Sequence, residues 1–255
     1  MFSWLFGSRN ALSYPPPPEG VVVYAVGDIH GRDDLLAGIH AAINYDDVAA
    51  DDMCVEVYLG DYVDRGAQSA AVLERLIERA SYRNSIFLRG NHEAIFQSFL
   101  ERKLAIDEWR VFGGIETCVS YGCDPAQLRR GVSSAEAAAL LTPRVPSRHL
   151  AFLATLQDSF AIGDYFFAHA GVRPGLPLEA QSPSDLHWIR EGFLDHAGSF
   201  GKIIVHGHTP VKTPDFRVNR INIDTGAVTT NRLTCLKLDG YGVSILEPML
   251  VQAKR

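Results

Sequence analysis

Five short blocks of this 255-residue chain gather carboxylate, imidazole and carboxamide side chains at close spacing. They read GDIHG (27–31), GDYVDRG (60–66), RGNHE (89–93), HAG (169–171) and HGHTP (206–210). Asp, His and Asn supply oxygen and imidazole donors suited to Mn2+, Fe2+ or Zn2+, and the blocks contain no thiolate. The donors are too many for one ion that keeps an open position. The pattern therefore predicts two metals bridged by a shared carboxylate. The glycines allow tight turns and close approach of backbone to metal and phosphate. Turn chemistry alone would account for Asp, Asn and Gly after strands, but not for histidine in four of the five blocks.

Each block follows an apolar run that must position it. Residues 21–26, 55–59, 85–88, 165–168 and 202–205 read as strands from their β-branched and aromatic character, and 221–223, 233–238 and 243–246 add three more. Between them lie helical patterns. Asp33 or Asp34 is expected to cap a helix carrying Leu35, Leu36, Ile39, Ala42 and Ile43 on one face, and 69–79 presents Val72, Leu73, Leu76 and Ile77 in the same way. Alternation of this kind implies βαβ units and an α/β fold of largely parallel strands, whose carboxyl ends form the binding crevice. Residues 97 to 160 read as a helical insertion over one end of the sheet, with SSAE (133–136) as a capping box. Two sheets packed face to face and flanked by helices would use all these elements.

Composition narrows the function classes. A net charge of −6 with no basic run argues against a nucleic-acid partner. The segment 1–20, with its YPPPPEG tract, is a stiff extended lead-in to a domain spanning 21–255. The first ten residues lack the basic region and apolar length of a signal peptide, and no stretch is long enough for a membrane span. Cys54, Cys118, Cys123 and Cys235 form no C-x-x-C pair, so they read as buried or half-buried thiols of a cytoplasmic protein.

Five blocks in this order, each after a strand-like run, resemble the metallophosphoesterase superfamily. GDYVDRG and GNHE narrow the likeness to the PPP-type serine/threonine protein phosphatases, in their compact bacterial and bacteriophage-lambda-like branch. The resemblance implies a four-layer α/β/β/α sandwich. It implies Asp28 and His30 on a first metal, Asp61 bridging both, and Asn91, His169 and His208 on the second. It makes His92 the general acid, oriented by Asp64, and gives Arg65, Arg89 and Arg190 to the phosphate, Arg190 lying in HWIRE. A planar guanidinium fork suits paired phosphate oxygens.

The implied reaction is hydrolysis of a phosphate monoester by a hydroxide activated between two divalent ions, Mn2+ first, with Fe or Zn as alternatives. Phosphoserine or phosphothreonine in proteins is the expected substrate. Symmetrical cleavage of diadenosine tetraphosphate is the second reading. His206 falls outside the ligand set because proline replaces the second histidine of G-H-x-H. His40 is expected at the surface or partly buried, and His149, His187 and His196 in structural roles. IDTGAV (223–228) is expected to support the site structurally. In 109–122 the aromatics read as core, and no site residue is assigned.

Overall fold

The computed structural model describes residues 12–46 and 52–249. The first ten residues, read above for a targeting signal, lie outside them. Five strands, β1 (Val21–Val26), β2 (Met53–Tyr58), β3 (Ser85–Phe87), β9 (Cys235–Asp239) and β10 (Gly242–Leu246), form one sheet in the order β10-β9-β1-β2-β3. The second sheet runs β4-β5-β6-β8-β7, from β4 (Ser159–Ile162), β5 (Tyr165–Ala168), β6 (Ile203–His206), β7 (Asp215–Phe216) and β8 (Arg220–Asn222). β1, β2 and β3 are mutually parallel, as are β5, β6 and β8. Both parallel trios end at the same edge of the molecule, where the ligand-bearing blocks begin.

Strand alternation divides the core. Val23 and Ala25 of β1 meet Tyr165 and Phe167 of β5 and Val205 of β6 between the sheets. Val22, Tyr24 and Val26 face the opposite way, onto α1 (Asp33–Tyr45) and α2 (Ser69–Ala80). Successive side chains point to opposite faces of a strand, so residues buried on both sides read as one unbroken apolar run. The outer face of the second sheet is covered by Leu186 of α8 (Pro183–Trp188) and by Phe193, packed on Phe166, Ala168 and Ile204. The layers are therefore α/β/β/α.

Helices α3 (Asn91–Leu100), α4 (Ile106–Val111), α5 (Gly114–Ser120), α6 (Ser134–Leu141) and α7 (Ser147–Ala154) fill 97–160 until β4 begins. Ile106, Trp109, Ala137, Leu141 and Phe152 join the same core cluster as Tyr24 and Leu36. Ser133 caps α6 in a capping box with Glu136, as the SSAE pattern predicts. The proline-rich lead-in runs along the second sheet: Tyr14 donates to the Arg217 carbonyl at 2.8 Å, and Tyr165 donates to that of Pro15 at 2.6 Å. No helix among the described residues is long and apolar enough to cross a membrane. Cys118, Cys123 and Cys235 are buried and Cys54 is half-buried, all as free thiols.

Two expectations need correction. The N-cap of α1 is Arg32, not an aspartate. Asp33 is instead drawn into an ion pair with Arg75 of α2, 2.5 Å away. His40 is buried, not superficial, because α1 lies on the sheet and its Nε2 meets the Tyr58 hydroxyl at 2.8 Å.

Candidate metal centre

The turns that carry the candidate ligands are conformationally strained. Among the described residues, seven other than glycine have positive φ, and five of them are His30, Asp61, Asp64, Arg65 and His208. Such backbone costs about 1–3 kcal/mol per residue and persists only where surrounding structure enforces it. Part of the enforcement is visible. Glu93 is fully buried and accepts hydrogen bonds from the backbone N–H of Gly90, Asp61 and Tyr62, at 3.0, 2.8 and 2.7 Å. It thus ties the end of β3 to the turn after β2. Two glycines then bring backbone against carboxylate: a Cβ on Gly90 would overlap Asp61 Oδ1, and one on Gly207 would overlap Asp28 Oδ1.

Two clusters share Asp61. In the first, His30, Asp61 and His92 have ligand atoms within 4.8 Å of one another; in the second, Asp61, His169 and His208 do. His30 Nδ1–H donates to the Val63 carbonyl at 2.9 Å, leaving a bare Nε2 that faces Asp61 Oδ2 at 3.4 Å. His169 Nδ1–H donates to the Leu59 carbonyl at 2.9 Å, and its Nε2 faces Asn91 Oδ1 at 3.0 Å and Asp61 Oδ1 at 3.3 Å. Asn91 Oδ1 also meets His208 Nδ1 at 2.9 Å. The bare Nε2 lone pairs of His30 and His169 thus face oxygen lone pairs across a buried space, an arrangement that repels unless a cation lies between them.

Asp28 makes the same case from the other side. Its Oδ2 accepts the His208 backbone N–H at 3.0 Å, while its buried Oδ1 has no hydrogen-bond partner. Burial and the neighbouring charges of Asp224 and Asp61 push its pKa well up. Asp224 is likewise pushed up to about 6, by burial first. Burial lowers His30 and His208 to about 3, keeping their nitrogens free to coordinate. Uncompensated carboxylates beside neutral imidazoles are the donor set of a divalent metal. Asp28, His30, Asp61, Asn91, His169 and His208 therefore fit two ions that share Asp61.

His92 stands in the first cluster with a second set of partners. Its Nδ1–H donates to Asp64 Oδ2 at 2.8 Å, and Arg65 Nη2 lies 3.0 Å from its Nε2. Burial opposes its charge, but Asp61 and Asp64 outweigh burial and raise its pKa. Asp64 is braced from 109–122, where no site residue was expected. Trp109 Nε1–H donates to both its oxygens, at 3.2 and 3.0 Å, and the Thr117 hydroxyl donates to Oδ1 at 2.7 Å.

The three arginines differ in freedom. Arg65 and Arg190 are exposed at the mouth, and Arg190 reaches the His208 carbonyl at 3.5 Å. Arg89 instead bonds Gln97 of α3 and the Leu153 carbonyl of α7. Of the remaining histidines, His206 packs edge-on against Phe193 and belongs to neither cluster. His149 meets Tyr121 and Glu74, His187 meets Asp158, and His196 packs on Phe200.

Two face-to-face sheets with paired oxygen and imidazole clusters at their common carboxyl edge define a metal-dependent phosphoesterase. Residues 21–244 match the calcineurin-like phosphoesterase family, and the chain belongs to it. A relative in Anoxybacillus flavithermus, named bis(5'-nucleosyl)-tetraphosphatase PrpE [asymmetrical], is 26% identical over 83% of this chain and 88% of its own length. Its namesake in Bacillus velezensis is 29% identical over 90% of this chain and 94% of its own. A crystal structure described as a putative diadenosine tetraphosphatase superposes with a TM-score of 0.61 at 20% identity, covering 92% of this chain and 99% of that one. A protein serine/threonine phosphatase from Saccharomyces cerevisiae superposes at 0.56 with 15% identity, covering 93% and 82%. At that identity the two structures share the fold alone.

Proposed function

We propose that the protein hydrolyses dinucleoside polyphosphates, splitting the phosphate chain unequally. The observation that carries this reading is the near full-length match to relatives named asymmetrical bis(5'-nucleosyl)-tetraphosphatases. It moves the preference away from phosphoserine and phosphothreonine, which the GDYVDRG and GNHE blocks favoured, to the second substrate class. It also replaces symmetrical by asymmetrical cleavage. The difference is which phosphorus lies over the metal centre.

Two divalent ions held by the six ligands, Mn2+ first, would polarise the phosphoryl group and make water a competent nucleophile at neutral pH. Arg65 and Arg190 bind the outer phosphoryl oxygens from opposite sides of the mouth. Arg89, expected from the sequence on the phosphate, is engaged with Gln97 and the Leu153 carbonyl and serves instead to orient α3 behind Asn91. His92 would deliver a proton to the departing oxygen through Nε2, while Asp64 holds its Nδ1–H. Buried glycine-lined backbone keeps the carboxylates and imidazoles in place without side-chain bulk.

The deciding experiment is a substrate panel with added Mn2+: diadenosine tetraphosphate, phosphoserine and phosphothreonine peptides, and an aryl phosphate. The expected outcome is the highest kcat/KM on the dinucleotide, with AMP and ATP as products. Two ADP would restore symmetrical cleavage, and a preference for phosphopeptides would restore the protein-phosphatase reading.

A further inference from the structure

Two aromatic rings stand at the mouth of the metal centre. Phe112 follows α4 and lies edge-on to His92, with ring centroids 5.8 Å apart. Trp188 ends α8 and lies edge-on to His208, at 6.2 Å. The two meet each other at 6.1 Å and 78°. They come from opposite sides of the molecule, one from the helical segment over the first sheet and one from the helix over the second. Together they form a corner that spans both metal clusters.

The corner is open on the Trp188 side, whereas Phe112 is half-buried against the core cluster under the first sheet. Trp188 is 41% exposed, although Leu186 of the same short helix is buried in the outer layer. Val111, beside Phe112, is 83% exposed. Exposed apolar surface beside a polar, charged site is characteristic of ligand recognition. Its position is held from both sides. Gly113 closes tightly on Arg65, whose backbone N–H donates to the Gly113 carbonyl at 3.1 Å, so Phe112 is tied to the arginine-bearing turn. Arg190, two residues beyond Trp188, contacts the His208 carbonyl. Cation and aromatic thus flank the centre as pairs, Arg65 with Phe112 and Arg190 with Trp188.

We propose that this corner is a nucleobase subsite: the base attached to the scissile phosphate stacks on the indole of Trp188, and Phe112 walls its edge. The inference rests on the dinucleotide reading and sharpens it. When water attacks the phosphorus next to one nucleoside and the nucleoside triphosphate leaves, the four phosphates split one to three and the phosphoryl group over the metals carries its nucleoside directly. Its base then falls at the mouth, where an aromatic face accepts any base because every base has a π-face.

The test compares two ligands that differ only in the base. AMP and ribose 5-phosphate are titrated into the full chain with Mn2+ by calorimetry. AMP is expected to bind about 5- to 150-fold more tightly, the range that base–aromatic stacking spans. Trp188→Ala should collapse that ratio toward one, and Trp188→Phe should keep most of it. Equal affinities in the parent protein, no AMP binding at millimolar concentration, or an undiminished ratio in Trp188→Ala would overturn the subsite. Its failure is distinct from failure of the substrate reading. A Trp188-dependent AMP preference without turnover of diadenosine tetraphosphate keeps the subsite and rejects the substrate. Turnover of the dinucleotide with no such preference does the reverse.

Discussion

His92 Nδ1 stands 2.8 Å from Asp64 Oδ2, and both side chains are wholly shielded from solvent. The pair fixes which ring nitrogen carries the standing proton and turns Nε2 toward Arg65 and Asp61, the residue common to both clusters. A guanidinium can only donate, so Nε2 can deliver a proton only after Arg65 turns from it to the phosphate, and the demand for delivery depends on what leaves.

A seryl alkoxide is a poor leaving group, so His92→Asn should cost about 10²–10⁴-fold in kcat on a phosphopeptide. A nucleoside polyphosphate leaves through a phosphate whose second pKa is about 6 and needs little help. The same variant should therefore lose clearly less on diadenosine tetraphosphate. Rates on both substrates, with metal content verified, check this. Equal losses at full occupancy would assign His92 to binding the phosphoryl group.

Asp64 is held by groups 45 and 53 residues away in the chain, Trp109 and Thr117. Thr117→Val removes, without changing shape, a hydroxyl that donates to the buried Asp64 carboxylate, accepts the Asp64 backbone N–H at 2.9 Å and lies 3.1 Å from Ser69 Oγ. Hydrogen bonds to charged groups contribute about 1.5–3 kcal/mol, so unfolding stability should fall by that order. kcat should drop with KM nearly unchanged, and Thr117→Ser should recover both. Urea titration and steady-state kinetics provide the readout. A stability loss with kcat intact would make the contact purely architectural.

These distances mark the boundary of what the sequence makes legible. The strands that lead into Asp28, Asp61, Asn91, His169 and His208 are largely apolar runs because both their faces are covered, with Glu56 of β2 as a buried charged exception paired to Arg79. Each announces itself locally. β7 has only two residues and β4 reads SFAI, too little for alternation to register. The Trp109 and Thr117 contacts have no spacing signal, since nothing in GDYVDRG indicates which distant helix will cover it. The same holds for Glu93, whose carboxylate serves backbone donors rather than chemistry. The Phe112–Trp188 corner joins two helices that meet only in three dimensions.

His206 and His208 separate by the same logic of position. His208 lies in the second cluster, whereas His206 has its Nδ1 at its neighbour's carbonyl and its ring against Phe193. His208→Ala should lower metal content and abolish most activity. His206→Ala should retain metal and lose mainly stability, about 1–3 kcal/mol for a buried side chain removed from a packed site. Metal analysis of the two purified variants decides the matter, and a reversed pattern would reject the ligand assignment.

His40 makes a prediction far from any metal. Its Nε2–H donates to the Tyr58 hydroxyl, which donates to Glu56 Oε2 at 2.7 Å, and Arg79 closes the network on Glu56 at 2.6 Å. Burial first, then the charges of Arg79, Arg75 and Arg83, depress the His40 pKa to about 3. An unfolded histidine takes up its proton near pH 6.5, so on acidification protons bind the unfolded chain first. The stability contribution of neutral His40 is complete above that value and declines as pH falls toward 3. Between pH 8 and pH 5 the decline should reach about 2 kcal/mol. His40→Gln keeps a donor for Tyr58 but cannot titrate. Its unfolding free energy should be lower at pH 8, yet its loss from pH 8 to pH 5 should be smaller by about the same 2 kcal/mol. Other buried histidines titrate equally in both proteins and cancel in the difference. Parallel pH profiles for the two would show that His40 is protonated in the fold, or that the network opens to admit the proton.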